Sequence, residues 1–327
     1  MAITFKAGKN APSSGIDFNK YIESFLPDTS GQPTFYGDNS QFDGDQIVNG
    51  YATSDNAAKN KLVSLWGEDF AYVLATHELT GTIDKIDFGT YGKGKVDSNG
   101  NFTGYNTELT ISGFSIDADD DPSSGDVIYA LMGWATGEAD GSLLLEALKG
   151  EAQKIVGSQG NDRWTGTKFD DRADGKNGND NFSGGKGNDI LKGGGGNDTL
   201  KGGAGDDTIE GGAGRDKLTG GTGKDDFVFK NASDLGSKSG KTDVITDFSV
   251  KDDTIDFSGI DANLTKKGDQ SFKFDGKGDL SGKAGSLVYQ YVDGNTVVLG
   301  DLDGDGKADI ALDLDGKLKL TAGDFEL

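Results

Sequence analysis

The chain has 327 residues, among them 54 Gly, 4 Pro and no Cys, and its 55 acidic against 32 basic residues leave a formal charge of −23. Four prolines exclude collagen, zero Cys excludes disulfides, thiolate zinc sites and Cys nucleophiles, and a single His excludes any site that needs two imidazoles. A field this acidic repels nucleic acid and anionic membrane and attracts cations, and no stretch approaches the roughly 18 apolar residues of a membrane span.

At the amino-terminal end, Phe18, Tyr21, Ile22, Phe25 and Leu26 step by three and four, which predicts one helix face. Asp17 supplies an N-cap and Pro27 a stop. Strands are expected over residues 46–53, 61–66, 69–75, 77–88 and 107–116, and two closing helices over residues 126–134 and 142–156. Residues 1–156 are therefore expected to form an α+β domain, an antiparallel sheet with helices on one face. The acidic run 117–126 reads as a solvated turn. His77-Glu78 opens like a zinc protease helix, but no second His completes it. Phosphate loops, GxSxG elbows and basic stripes are absent, so a binding protein is expected rather than an enzyme. The first residues, Met1-Ala-Ile-Thr-Phe-Lys-Ala-Gly-Lys9, contain no continuous apolar run, and no cleaved amino-terminal signal is expected.

Several stretches of this domain resemble the secreted haemophore HasA family. They are Asp17-Phe-Asn-Lys-Tyr-Ile-Glu-Ser-Phe25, Thr34-Phe-Tyr-Gly37, Tyr72 followed by Thr76-His-Glu-Leu-Thr-Gly-Thr-Ile-Asp-Lys-Ile-Asp-Phe-Gly89, and Val127-Ile-Tyr-Ala-Leu-Met-Gly133. The resemblance implies haem binding for iron acquisition, with presentation to an outer-membrane haem receptor. It implies Tyr72 as the tyrosinate iron ligand and His77 as the imidazole that holds the Tyr72 oxygen. The family's second axial His has no counterpart, and Gln32 occupies that region, where it would contact the haem face. The alternative is a non-enzymatic extracellular binding, adhesion or matrix protein that uses the same fold without haem.

From Gly157 the chain reads in nines: GSQGNDRWT, GTKFDDRAD, GKNGNDNFS, GGKGNDILK, GGGGNDTLK, GGAGDDTIE, GGAGRDKLT and GGTGKDDFV, ending at Val228. The sixth position is always Asp: Asp162, Asp171, Asp180, Asp189, Asp198, Asp207, Asp216 and Asp225. The eighth is an inward residue, Trp164, Ala173, Phe182, Leu191, Leu200, Ile209, Leu218 and Phe227. This pattern resembles the GGxGxDxUx nonapeptide of the RTX family, which implies a calcium-binding parallel β-roll. The glycine half turns tightly and offers carbonyl oxygens, and the second half is a short strand. If two nonads make one coil, odd units stack into one sheet and even units into another, with aspartates and turn carbonyls around shared calcium ions. The stacked carboxylates repel without the ion, so the segment is expected to be unfolded in calcium-free solution. The second unit departs from the pattern, with Phe169 at its fourth position and Ala173 at its eighth.

After Val228 the chain alternates apolar and polar, in Asp243-Val-Ile-Thr-Asp-Phe-Ser-Val250, Asp253-Thr-Ile-Asp-Phe-Ser-Gly-Ile260, Gly285–Tyr291 and Asn295–Leu299, which read as antiparallel strands capping the roll. The run DVITDFSVKDDTIDFSGID and the end LTAGDFEL resemble the segment after the repeats in serralysin-type secreted proteases. That resemblance implies an uncleaved signal read by a type I secretion transporter, hence a secreted, extracellular protein. Asp301-Leu-Asp-Gly-Asp-Gly-Lys-Ala-Asp309 sets Asp301, Asp303, Asp305 and Asp309 at EF-hand spacing, although position twelve is Leu312 and not Glu. The expected organisation is multidomain: the α+β domain over 1–156, a parallel β-roll over 157–228 and a β-rich cap over 229–327.

Overall fold

The computed structural model describes residues 3–7, 11, 13–18, 34–36, 43–51, 61–73, 78–90, 95–96, 102–103, 106–117, 148–236 and 242–327. It divides into two compact units, Met1–Ser158 and Gln159–Leu327. No helix among the described residues is long and apolar enough to cross a membrane.

In the first unit the strands are β1 (Ile3–Ala7), β2 (Thr34–Tyr36), β3 (Asp43–Tyr51), β4 (Lys61–Val73), β5 (Glu78–Thr90), β6 (Lys95–Val96), β7 (Phe102–Thr103), β8 (Asn106–Asp117) and β9 (Gln153–Val156). Within this unit the main sheet runs in the order β2-β3-β4-β5-β8-β1-β9, and β6 pairs with β7 apart from it. All neighbours in the main sheet are antiparallel except β1 and β9. The two strands expected over 61–66 and 69–75 are one strand, β4. Its register against β5 shifts at Trp66/Gly67 and again at Glu68/Ala71, so the interruption is a bulge that bends the strand and not a turn that ends it.

The expected α+β class does not hold. Among the described residues of this unit the regular elements are strands, and Gln153–Val156, expected as the end of a closing helix, pairs in parallel with Ile3–Lys6. The local reason lies in the sequence. A turn at Lys149-Gly150 follows the helical residue Leu148, and the next residues alternate buried and exposed with β-branched Ile155 and Val156, the two-residue period of a strand. Of the expected helix over 18–26 only Phe18 is described, and it is helical. The expected helix over 126–134 lies outside the described residues. Phe5, Ile16, Phe18, Leu148 and Ile155 are buried in this unit.

The second unit begins with eight short strands, one per nonapeptide: β10 (Arg163–Thr165), β11 (Arg172–Asp174), β12 (Asn181–Lys186), β13 (Ile190–Gly195), β14 (Thr199–Ala204), β15 (Thr208–Ala213), β16 (Lys217–Thr222) and β17 (Asp226–Val228). Each pairs in parallel with the strand two units on. Arg163 faces Asn181, which faces Thr199, which faces Lys217, and the even units do likewise, so one coil is 18 residues. Positive φ is required where the turn reverses, as at Gly194 (105°) and Gly196 (133°), a region closed to most side chains. Adding a Cβ at Gly196 would also drive it into the carbonyl of Gly178 in the coil before.

Beyond the repeats follow β18 (Val244–Ile245), β19 (Thr254–Asp256), β20 (Lys273–Lys277), β21 (Ser286–Val292), β22 (Asn295–Asp301), β23 (Ile310–Leu314) and β24 (Phe325–Glu326). The segments starting at Asp243 and Asp253, expected as antiparallel caps, instead continue the roll. β18 pairs in parallel with β16, and β19 in parallel with β17. The final strand β24 pairs in parallel with β19 as one more rung, and β23 does so with β18. Antiparallel pairing is found at β21–β22–β23, where Asp293 and Gly294, both at positive φ, make a two-residue hairpin turn.

Two apolar columns run through the roll. One stacks Trp164, Phe182, Leu200, Leu218, Ile245 and Leu314, and the other Ala173, Leu191, Ile209, Phe227, Ile255 and Phe325. All twelve are buried. One such side chain per nonapeptide is a narrow core, and the turns flanking it are polar.

Candidate metal centre

Each nonapeptide ends its turn with the sixth-position Asp, immediately before the strand that carries the core residue. Along one side of the roll, the backbone N–H of Asp162 donates to Oδ1 of Asp180 at 2.7 Å, that of Asp180 to Asp198 at 2.7 Å, that of Asp198 to Asp216 at 2.7 Å and that of Asp216 to Asp243 at 2.8 Å. The other side repeats this through Asp171, Asp189, Asp207, Asp225 and Asp253, at 2.8 to 3.1 Å. One carboxylate oxygen of each rung is thus fixed by the backbone of the rung before it.

The second oxygen is different. Oδ2 of Asp180, Asp189, Asp198, Asp207, Asp216, Asp225 and Asp243 is buried and has no hydrogen-bond partner among the described residues. None of these seven aspartates is more than 2% exposed. Burial pushes their carboxyls up against the lowering effect of the backbone N–H. Asp180, Asp189, Asp216 and Asp225 rise to about 7, Asp198 and Asp207 to about 6, and Asp243 to about 8. Neighbouring aspartates push in the same direction, Asp198 and Asp162 on Asp180, for example, and Asp216 on Asp243. Buried like charges with open oxygens are costly unless a cation meets them.

The surrounding atoms suit a hard cation. A Cβ added at Gly175, Gly184, Gly193, Gly202, Gly211 or Gly220, the first position of six units, would collide with Oδ2 of the Asp in its own unit. At Gly175, Gly193 and Gly202 it would also meet the carbonyl oxygen of the first glycine one coil on, Gly193, Gly211 and Gly220 respectively. Carboxylate and carbonyl oxygens converging on a space that only glycine leaves open are the donor set calcium takes, and no nitrogen or sulfur donor is among them. The seven open aspartates and these glycine carbonyls would hold the ion, which supplies the positive charge the ladders lack.

Two rungs give their Oδ2 a donor from the protein. In the second unit, Asp171 Oδ2 accepts the backbone N–H of Thr167 at 2.6 Å and its hydroxyl at 3.0 Å. At the far end of the same ladder, Asp253 Oδ2 accepts the backbone N–H of Ser249 at 2.8 Å. Thr167 and Ser249 each stand four residues before their Asp, in turns that depart from the GGxG pattern.

The structure therefore gathers the eight predicted repeat aspartates into two columns of four and extends each by one. Asp243 and Asp253 were the residues that the repeat pattern missed. Their signal was present, since Asp243-Val-Ile and Asp253-Thr-Ile keep the Asp-x-apolar half of the nonapeptide after its glycine half is gone. A second ladder also went unread. The fifth-position side chains Asn161, Asn179 and Asn197, and Asp170, Asn188 and Asp206, each accept the backbone N–H of the residue 18 later, at 2.7 to 2.9 Å. It stops at Arg215 and Lys224, which carry no acceptor oxygen.

In the loop after β22, Asp301, Asp303 and Asp309 bring carboxylate oxygens within 4.8 Å of one another. Asp305 is not in that group, and its side chain pairs with Lys307 Nζ at 2.5 Å. The loop's own backbone already uses the carboxylates. Asp301 accepts the N–H groups of Gly304 and Gly306, and Asp309 those of Leu302 and Asp303. Tyr72 lies on β4 opposite Leu79 of β5. His77 and Gln32 lie outside the described residues.

Residues 156–191 and 192–227 match the family model for the RTX calcium-binding nonapeptide repeat, which stands there as two blocks of four copies. No curated protein matches the chain. Among solved structures, the AlgE6R3 subunit of the Azotobacter vinelandii mannuronan C5-epimerase is similar at 27% identity and TM-score 0.33, over 52% of this chain and 80% of that one. The apo hemophore HasA of Yersinia pestis is similar at 18% identity and TM-score 0.32, over 46% of this chain and 88% of that one. The extracellular lipase LipA of Serratia marcescens is similar at 17% identity and TM-score 0.24, over 54% and 40% respectively.

Proposed function

We propose that this chain is an extracellular, calcium-dependent binding protein whose RTX repeats fold on the ion. The observation that carries the reading is the set of seven buried Oδ2 atoms without hydrogen-bond partners among the described residues, each on a carboxylate whose Oδ1 is fixed by the rung before. A cation supplied at millimolar level outside the cell completes those turns, and its binding free energy becomes folding free energy. The reading has three parts: a ligand-binding domain over 1–156, the roll over 157–228 and a cap over 229–327. The serralysin-like segments after the repeats support export through a type I transporter. Circular dichroism with and without calcium tests it, and a strand signal indifferent to chelator would sink it.

For the amino-terminal unit the reading is haem capture for iron acquisition and delivery to an outer-membrane receptor, without enzymatic activity. Its support is the set of HasA-like stretches in the sequence, with Tyr72 as iron ligand, His77 as its hydrogen-bond partner and Gln32 near the haem face. A tyrosinate on a strand is a competent Fe(III) ligand when an imidazole takes its proton. Haemin titration of the full chain tests this part separately from the roll. Absence of a saturable absorption band at micromolar protein would transfer the assignment to an adhesion or matrix role.

A further inference from the structure

The two aspartate ladders end differently, and we infer from that difference that the calcium column is longer on one side of the roll than on the other. The inference rests on the calcium reading above and adds which rungs carry an ion and which do not. On the first side the ladder reaches Asp243, 15 residues beyond the last nonapeptide, where the side chain is 0% exposed and Oδ2 has no hydrogen-bond partner among the described residues. Its Oδ1 is spent on the N–H of Asp216, whose own Oδ2 is equally open. Asp243 therefore has the same fixed and open oxygens as Asp180, Asp198 and Asp216, and it adds a calcium ligand outside the recognised repeats.

On the second side the ladder is closed at both ends by the protein itself. Thr167 donates to Asp171 and Ser249 donates to Asp253, in each case on the oxygen that meets no donor in the open rungs. A backbone N–H on that oxygen takes one of its lone pairs and part of its negative charge, so a calcium ion finds a weaker ligand there than at the open Oδ2 atoms. The rung past Asp225 is reinforced in another way: Asp247 accepts the N–H groups of Gly220 and Gly221, each at 2.9 Å, one on each carboxylate oxygen. Thr167 and Ser249 are thus terminators of the ion column, and open sites on this side are restricted to Asp189, Asp207 and Asp225.

The consequence is a coupling specific to one segment. Asp243 must return to the roll before the ion there can bind, so that ion ties chain beyond the repeats to the repeats themselves. A crystal structure of the full chain grown in calcium chloride, with anomalous data, tests the inference directly. It should show an ion at about 2.3–2.6 Å from Asp243 Oδ2, and none on Asp171 or Asp253. Ions along Asp189, Asp198 and Asp207 with none at Asp243, or an ion on Asp253 Oδ2, would overturn it while leaving the calcium reading intact. Ions nowhere in the roll would sink both. Asp243→Asn and Asp253→Asn give the solution counterpart, since Asn keeps the Oδ1 acceptor and removes only the charged oxygen. Native mass spectrometry should find fewer bound calcium ions in Asp243→Asn than in the parent and an unchanged number in Asp253→Asn. Equal counts in all three proteins, or equal losses in both variants, count against it.

Discussion

The backbone N–H of Asp198 donates to Oδ1 of Asp216 at 2.7 Å, while Oδ2 of Asp216 is buried and meets no donor among the described residues. Repeated up both sides of the roll, this relationship makes each turn depend on the next and leaves every open rung one positive charge short. The stability of the segment should therefore depend on a cation as well as on its one core residue per nonapeptide.

Removing calcium should unfold the roll. Chelation of the full chain is expected to abolish the strand signal of residues 157–228, with cooperative recovery on titration into the millimolar range. Circular dichroism and intrinsic fluorescence of Trp164, buried against Phe182 at 6.2 Å between ring centroids, report the two ends of the transition.

Without calcium, the stability of the roll should fall as pH rises. The unfolded aspartates titrate near 4, whereas the folded ones titrate at about 6 to 8. Between those limits the folded state holds more protons, so this contribution is fully present below about pH 4 and is lost as pH climbs through about 8. Far-ultraviolet circular dichroism of chelated protein should gain strand signal on acidification from pH 8 toward 5. The same protons compete with calcium, so the calcium midpoint should rise over that range. A midpoint that falls or stays level on acidification contradicts the open-carboxylate geometry.

Gly193→Ala should weaken calcium-dependent folding more than Gly195→Ala. The added methyl at position 193 collides with Asp198 Oδ2 and with the carbonyl of Gly211, whereas at position 195 its one close neighbour is the tip of the flexible Asn177 side chain. The expected difference is about 1–3 kcal/mol, read as a shift of the denaturation midpoint at saturating calcium. Equal effects at both positions would show that the first-position glycine is not keeping the cradle open.

Leu200→Ala should cost about 2–5 kcal/mol in the calcium-loaded state, because Leu200 is 0% exposed between Phe182 and Leu218 in the column. Ala173→Leu would probe the weak second unit, where Ala173 pairs with Leu191 and is already 3% exposed. A gain in stability there would show spare room. A loss would show that the neighbouring coil has closed on the small side chain.

Tyr72→Phe should abolish the haemin-dependent absorption band if Tyr72 is the iron ligand. The folded state should remain, since the substitution removes one hydroxyl from a strand residue. Retention of the band in Tyr72→Phe would move the ligand elsewhere and end the assigned role of this side chain.

The roll was largely legible because its information is local and periodic. Eight sixth-position aspartates and 21 glycines in 72 residues fix the coil length, the turn conformation and the inward residue before any long-range contact is considered. The amino-terminal unit was less so. Lys149-Gly150 followed by Gln153-Lys-Ile-Val156 looked like the end of a helix that began earlier, and nothing within that stretch announced a parallel partner at Ile3–Lys6 some 150 residues away. The strand period in four residues is too short to outweigh a longer apolar pattern upstream.

By itself the sequence determined the repeat, its acidic column and therefore the class of cation, since a glycine turn with an Asp at fixed phase has few other uses. Tertiary structure alone decided which of its carboxylates keep an oxygen without a donor. Asp243 and Asp253 both carry the Asp-x-apolar half-motif, yet one keeps an open oxygen and the other accepts the backbone N–H of Ser249. The difference arises because hydrogen bonding of a carboxylate depends on which backbone donor the folded turn delivers to it, a property of three-dimensional placement that residue identity does not encode.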